Sequence, residues 1–418
     1  VITMHHIICD GWSLAVMVRE LTSIYQRMVA GEGELLEPLA IQYADFSAWQ
    51  REYIADVYLE QLLDFWRGQF ETIPDPIELP LDYPRPAAKT HVGDSVEVIF
   101  PEELGERVRT FCQENGITHF MFWLACYNIM LWRYSGQDDL CVGSPIANRS
   151  RQEIEPLIGF FVNTLALRTV IDSDLSFKQL LDQIKKTTLD AYDHQDVPFE
   201  KIVEALGVER IVNRSPLFQV QFVLQNNPTE QFDISGLHIE HYPVEFATSK
   251  VELSLSLNEE NTCFSGALTF NTDLFNKQTA MRMTGHLEQI VRYVLERPKA
   301  TLSAIPLITE LEWGELLYVW KQATKEDDLG NFVDRFRESV EGNSDALALK
   351  DFSGEWCFEE LNSLSDKIAC QLVSEGVGLE SRVGVLLGRR KEAILSLLGV
   401  IKAGGVFVPL DHKAPASR

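Results

Sequence analysis

No two of the seven cysteines (Cys9, Cys112, Cys126, Cys141, Cys263, Cys357, Cys370) stand in a CxxC spacing, and their odd count rules out a fully paired disulfide framework. Scattered thiols suit a reducing compartment, so the expected location is cytoplasmic. Zinc-type Cys/His spacing is missing as well, and no metal site is expected. Long apolar runs are also lacking. The most apolar stretch, 120–132, is too short to span a bilayer and is interrupted by Asn128, so it predicts a buried helix. Positive charge is scarce: 37 Lys and Arg stand against 62 Asp and Glu, a net charge of −25. That balance repels polyanions and argues against nucleic acid and anionic membranes as partners. There is no visible secretory leader, internal repeat, low-complexity segment or GxSxG elbow. Without the elbow, a covalent acyl-enzyme is not expected.

What is present is an ordinary globular composition, 45% hydrophobic and 24% charged over 418 residues, long enough for two or three domains. Leu14, Met17, Val18, Leu21, Ile24, Tyr25 and Met28 recur at helical spacing until Gly31 and Gly33 end the run. A second helical region is expected over 43–70, then a proline-rich extended crossing over 73–86. From residue 92 the rhythm changes. Val96, Val98 and Phe100 alternate as a strand, 102–115 reads as a helix closed by Gly116, and the buried helix covers 119–134. Strands are expected at 140–142, 162–171, 218–224, 251–257 and 264–270, and helices at 177–194 and 276–296. This is an α+β or α/β layer pattern. Residues 309–331 turn polar and charged and read as a linker. Beyond it, strand 346–350, helix 359–375, strand 383–387, helix 391–403 and strand 406–409 include a βαβ unit. Val1 stands where a start methionine would, and an apparent strand end runs straight into the first motif. Sequence upstream is therefore expected.

That first motif is His5-His6-Ile7-Ile8-Cys9-Asp10-Gly11, on the turn feeding the first helix, which Asp10 or Ser13 can cap. A neutral imidazole can take a proton or a hydrogen bond during acyl transfer. Gly11 permits a positive φ and close approach of backbone to a reacting group. Asp10 can orient His6 as in a triad, or serve as a turn residue paired with an arginine. The same residues equally describe two histidines satisfying hydrogen bonds at a strand end.

The motif resembles the catalytic signature of condensation domains from nonribosomal peptide synthetases, relatives of acyltransferases such as chloramphenicol acetyltransferase. Further blocks follow in that family's order. They are Tyr43-Ala44-Asp45-Phe46-Ser47-Ala48-Trp49-Gln50, Gly143-Ser144-Pro145-Ile146-Ala147-Asn148-Arg149, and Ile158-Gly159-Phe160-Phe161-Val162-Asn163-Thr164-Leu165. After these come His194-Gln195-Asp196-Val197-Pro198-Phe199-Glu200 and Arg214-Ser215-Pro216-Leu217-Phe218-Gln219-Val220. Val251-Glu252-Leu253 departs from the family's Phe-Asp-Leu. The resemblance implies that His6 is the catalytic histidine, with His5, Asp10 and Gly11 as support. It pairs Asp10 with an arginine across the domain, for which Arg149 is the candidate. Asn163 and Gln195 are candidate tunnel-lining residues, although most of these blocks read equally well as core strand and helix-start chemistry.

After the linker, Trp356-Cys357-Phe358-Glu359-Glu360-Leu361-Asn362 resembles the opening block of adenylation (AMP-binding) domains. Ile401-Lys402-Ala403-Gly404-Gly405-Val406-Phe407-Val408-Pro409-Leu410-Asp411 resembles a later block of that family, with His412 in place of its usual proline. The family's ATP-gripping loop and the carrier-protein serine motif do not occur here, so no nucleotide or phosphopantetheine site is expected in this chain.

The implied fold is α/β: a chloramphenicol-acetyltransferase-like two-lobed condensation fold with an incomplete N-terminal lobe, then a truncated α/β start of an adenylation domain. The expected divisions are 1–85 for the remaining N-terminal lobe, 86–308 for the C-terminal lobe, 309–331 for the linker and 332–418 for the adenylation start. The implied activity is amide-bond formation between a donor acyl or peptidyl thioester and an acceptor aminoacyl thioester. Both would be carried on the 4′-phosphopantetheine of partner carrier domains, with ATP and Mg belonging to the rest of the adenylation domain. Two alternatives stand beside it: an inactive fragment that only docks carrier proteins, and an epimerisation-type domain. The PFE block and the adenylation start argue against the latter.

Overall fold

The computed structural model describes residues 2–32, 36–208, 211–225, 248–260, 263–323 and 331–411. Gly33, the charge run 325–328 and His412 lie outside the described residues. The chain divides into two compact units, Val1–Trp313 and Gly314–Arg418.

In the first unit, residues 2–5 form no regular element, and His6–Ile8 is a single 3-10 turn instead of the expected strand end. A strand needs a neighbour for its ladder bonds, and among the described residues none pairs here. Helix α1 (Gly11–Val29) follows, then α2 (Tyr43–Tyr53) and α3 (Asp56–Gln69). The expected single helical region over 43–70 is thus two helices, broken where Asp56 takes a φ of +46°. Gln42 and Asp45 close a capping box at the start of α2.

The crossing 73–91 has no regular structure and leads into β1 (Gly93–Phe100), α4 (Glu102–Asn115) and α5 (His119–Ser135). Gly116 and Gly136, both at positive φ, end the two helices. The remaining elements are β2 (Asp139–Ile146), β3 (Asn163–Val170), α6 (Phe177–Asp193), α7 (Phe199–Leu206), β4 (Val220–Gln225), β5 (Leu253–Glu260), β6 (Cys263–Asn271) and α8 (Lys277–Glu296). One mixed sheet has the order β1-β6-β5-β4-β2-β3. The β2–β4 and β4–β5 pairs are parallel and the others antiparallel. Along β1, Val96, Val98 and Phe100 are buried while Glu97 and Ile99 face out, as period two requires. The parallel β2–β4 pairing brings the Phe218 ring so close to Gly143 that a Cβ there would lie 2.3 Å from it. Helix α5 forms the centre of the core, with Met121 through Leu131 all buried. Its polar interruption, Asn128, donates to Thr169 Oγ1 of β3 at 3.1 Å.

Part of the expected linker is helical. Helix α9 (Glu310–Ala323) begins where Thr309 and Glu312 cap each other, and Glu312 also reaches His286 of α8 at 2.8 Å. The charge run 325–328 coloured the reading of the whole segment, whereas 310–323 carries Leu311, Trp313, Leu316, Leu317, Tyr318 and Val319 and is helical. In the second unit, α10 (Phe332–Asn343) is a further element the sequence pattern did not reveal; Asn331 caps it. The hairpin β7 (Leu347–Asp351) and β8 (Gly354–Cys357) precedes α11 (Phe358–Ser374). Strand β9 (Arg382–Val385), α12 (Lys391–Lys402) and β10 (Val406–Pro409) then form a parallel βαβ unit. No helix among the described residues is long and apolar enough to cross a membrane.

Candidate active site

The motif turn is built around Asp10, which is 4% exposed although it carries a charge. Its Oδ1 accepts from the Ser13 amide at 2.8 Å, capping α1, and from the Ser13 hydroxyl at 2.7 Å. The same oxygen lies 3.2 Å from Arg149 Nη2, and Oδ2 accepts from the Phe161 amide at 2.9 Å. Burial alone would raise the Asp10 pKa. The Ser13 hydroxyl and amide, the Phe161 amide and the Arg149 charge outweigh it and hold the carboxyl below its ordinary value. Of the two roles open to Asp10, the geometry gives the turn residue paired with an arginine, because its carboxylate is committed away from His6.

Arg149 is equally enclosed. Its Nη1 donates to the carbonyls of Ile154 (2.6 Å) and Leu157 (2.8 Å), and its Nη2 to Ser13 Oγ at 2.9 Å. The guanidinium lies 4.0 Å from the Phe161 ring centroid and 5.8 Å from that of Trp12. Burial lowers its pKa and Asp10 opposes that shift. This is a desolvated pair with most of its hydrogen-bonding capacity met, the condition under which a buried ion pair is tolerated.

Three further residues complete the enclosure. Ser13 Oγ lies 2.8 Å from Gly159 O and accepts from Gly159 N at 3.1 Å. Tyr43 donates its hydroxyl to Phe160 O at 2.8 Å. Its ring lies over Gly159, where a Cβ would stand 2.2 Å from it. A small apolar cluster of Phe46, Ile154, Leu157 and Phe161 lies beneath, separate from the main core. From sequence Ser13 was only a possible cap of α1, and Tyr43 and Gly159 only members of the quoted blocks, with no site role. Gly159 carried the available signal, since a glycine between bulky apolar residues marks close approach.

His5 caps the 3-10 turn by accepting from the Ile7 amide at 3.1 Å. His6 is exposed. Its Nδ1 is 2.7 Å from Cys9 O, and its ring meets Phe160 edge-on at 5.2 Å and 85°. A carbonyl only accepts, so Nδ1 carries a proton, and in the neutral ring the lone pair is then on Nε2, on the other side. A carboxylate is therefore unnecessary for setting this tautomer. Gly11 is exposed and has open space around its Cα.

Asp10, Gly11, Trp12 and Arg149 border a cavity of about 500 Å³ whose other walls include Phe120, Tyr192, Gln195 and Leu224. Gln195 thus lines a cavity. Asn163 does not border this cavity: its side-chain amide donates to Gln195 O (2.8 Å) and Val197 O (2.7 Å) and accepts from the Thr164 and Phe199 amides. Three of these four bonds hold the segment that leads into α7. Glu252, at the Val-Glu-Leu departure, is buried and bonded through both oxygens to Arg85. Cys112, Cys126 and Cys141 offer no nucleophile, because burial pushes Cys112 up to about 12 and raises the other two as well. A larger cavity, about 1050 Å³, lies in the second unit, lined in part by Phe407, Pro409 and Asp411 of the second adenylation-type block, and contains none of the His5–Gly11 motif.

Comparison with known families matches residues 1–317 to the condensation domain and residues 336–418 to the AMP-binding enzyme. Tyrocidine synthase 3 of Brevibacillus parabrevis is 36% identical over 419 residues, covering 99% of this chain and 6% of the relative. Malpibaldin synthetase of Mortierella alpina is 37% identical over 418 residues, covering all of this chain and 8% of the relative. Bacitracin synthase 2 of Bacillus licheniformis is 36% identical over 417 residues, covering 99% and 16%. The chain spans 5 to 16% of the length of the curated relatives it matches. Among solved structures, a four-domain nonribosomal peptide synthetase bound to AMP and glycine superposes with a TM-score of 0.74 at 24% identity, covering 99% of this chain and 32% of that one. The X-domain from teicoplanin biosynthesis gives 0.68 at 25% identity, covering 73% and 71%.

Proposed function

The chain belongs to the condensation-domain family, followed by the opening of an AMP-binding enzyme, and on that premise we propose that its first unit forms amide bonds in nonribosomal peptide synthesis. The acceptor α-amine attacks the carbonyl carbon of the donor thioester. The amine gives up a proton, the C–S bond breaks and the donor arm leaves as a thiol. An α-amine with a pKa of about 8 is already partly neutral, so positioning and stabilisation of charge weigh as much as proton removal. His6 carries this role through Nε2. The observation that supports it most is the Nδ1–Cys9 O bond, which leaves Nε2 as the acceptor on an exposed ring.

The substrates arrive on the 4′-phosphopantetheine arms of an upstream donor and a downstream acceptor carrier domain in the cytoplasm. No nucleotide, metal or resident cofactor is assigned to these 418 residues. We place the lobe division at 1–85 and 86–308, as the sequence suggested, and assign Asp10 and Arg149 as the pair that holds the motif turn.

Carrier proteins loaded with donor and acceptor aminoacyl thioesters, followed by intact mass, test the reading. His6→Ala is expected to slow dipeptidyl-carrier formation by roughly 10² to 10⁴-fold. A rate within twofold of the parent ends the catalytic assignment. One observation favours a second reading, a lobe that docks carriers without turnover: His6 is exposed and does not itself line the 500 Å³ cavity. Carrier binding with no product from the unsubstituted chain selects that reading.

A further inference from the structure

We propose that Phe160 is a positioning residue that holds the His6 imidazole in its working orientation, an inference that rests on the condensation reading for its purpose but not for its geometry. Phe160 is a large apolar side chain left 38% exposed. Its backbone, by contrast, is clamped from both sides. Gly159 N donates to Ser13 Oγ, Phe160 O accepts from the Tyr43 hydroxyl, and Phe161 N donates to Asp10 Oδ2. Three hydrogen bonds over three residues fix where the Phe160 side chain starts, yet they bury little of it.

What the ring touches gives the arrangement a use. It meets the His6 ring at 5.2 Å with an interplanar angle of 85°, the edge-to-face geometry aromatic pairs prefer. An exposed imidazole has two soft torsions. The Nδ1–Cys9 O bond opposes a flip about χ2, which would exchange Nδ1 for a carbon and lose the bond. A swing about χ1 would carry the ring away from Cys9 O as well, and the Phe160 ring, packed edge-on, adds a second contact that holds the imidazole on that side. Together the two restraints fix one tautomer and one direction for Nε2. The network around Asp10 and Arg149 therefore reaches His6 through the Phe160 ring and not through a carboxylate.

Nitrogen-15 spectra of the chain with labelled histidine, with His6 assigned by its loss in His6→Gln, read the tautomer directly. In the parent chain His6 is expected to hold its proton on Nδ1. Phe160→Ala is expected to give a mixture of both tautomers, with amide formation about tenfold slower and the loss in kcat rather than KM. Phe160→Tyr keeps the ring and is expected to restore both. Because Phe160 is partly exposed and outside the main core, Phe160→Ala should unfold at the parent's midpoint. An unchanged tautomer balance in Phe160→Ala overturns the proposal. A shifted balance with unchanged amide formation upholds the positioning role and instead removes the catalytic assignment of His6.

Discussion

Helices α1 and α5 are of similar length, 19 and 17 residues, and both carry abundant apolar side chains. Eleven consecutive residues of α5 are buried, whereas α1 buries only Ser13 and Val16. Leu14, Leu21, Tyr25 and Met28 of α1 are exposed. The helix that carries the motif is therefore held at its N-terminus by a charged network, while the helix at the centre of the unit is held by packing. Packing is non-directional and tolerant of rearrangement, but a hydrogen-bonded ion pair fixes direction. A turn that must aim an imidazole has use for the second kind of restraint.

The largest test of this contrast is Phe122→Ala in α5, where the side chain is fully buried against Phe111, Trp123 and Phe177. The expected loss is about 3–5 kcal/mol in the unfolding free energy of the first unit, read from urea titration. A loss below about 1 kcal/mol would mean that α5 is not the packing centre described here.

Next in size is Asp10→Ala, which leaves Arg149 buried without its counter-charge. The expected cost is about 3 kcal/mol, felt as faster amide hydrogen exchange in α1 with little change in α5. If α5 loses protection equally, the two regions open together and the contrast fails. Acid gives the same test without a mutation. Asp10 titrates below its ordinary value in the folded chain. Its stabilisation is complete above the unfolded value of about 3.9 and drains as pH falls through the lower folded value. Protection of α1 should therefore fall below about pH 4 before that of α5 does.

The same division explains what the sequence made legible. Periodicity located α4 to the residue because that helix buries one face, a continuous apolar run located α5 within one because that helix is buried all round, and alternation located β1. It located α1 too, but a helical stripe says which face is apolar and not whether anything covers it. The Asp10–Arg149 partnership came from resemblance, since no local pattern links residues 139 apart. The distant contacts of Ser13 and Tyr43 stayed hidden for the same reason: they reach the Gly159–Phe160 segment, and only the fold brings them together. The 3-10 turn at His6–Ile8 looked like a strand end because Ile2, Ile7 and Ile8 suggest β structure, yet all three are exposed and, among the described residues, paired in no sheet.

The smallest expected effect bears on the exposed face of α1. Leu21 is 56% exposed, so Leu21→Ser removes little buried area in this chain and should change unfolding free energy by less than about 0.5 kcal/mol. Serine also has slightly lower helix propensity, which sets the sign as mildly destabilising. The value of the measurement lies in its pairing with Asp10→Ala. If the polar network alone holds α1, the two substitutions differ by several-fold in α1 exchange although both lie within the same dozen residues. A large loss from Leu21→Ser would instead show that the apolar face of α1 is covered in solution, and packing would then hold the motif helix as it holds α5.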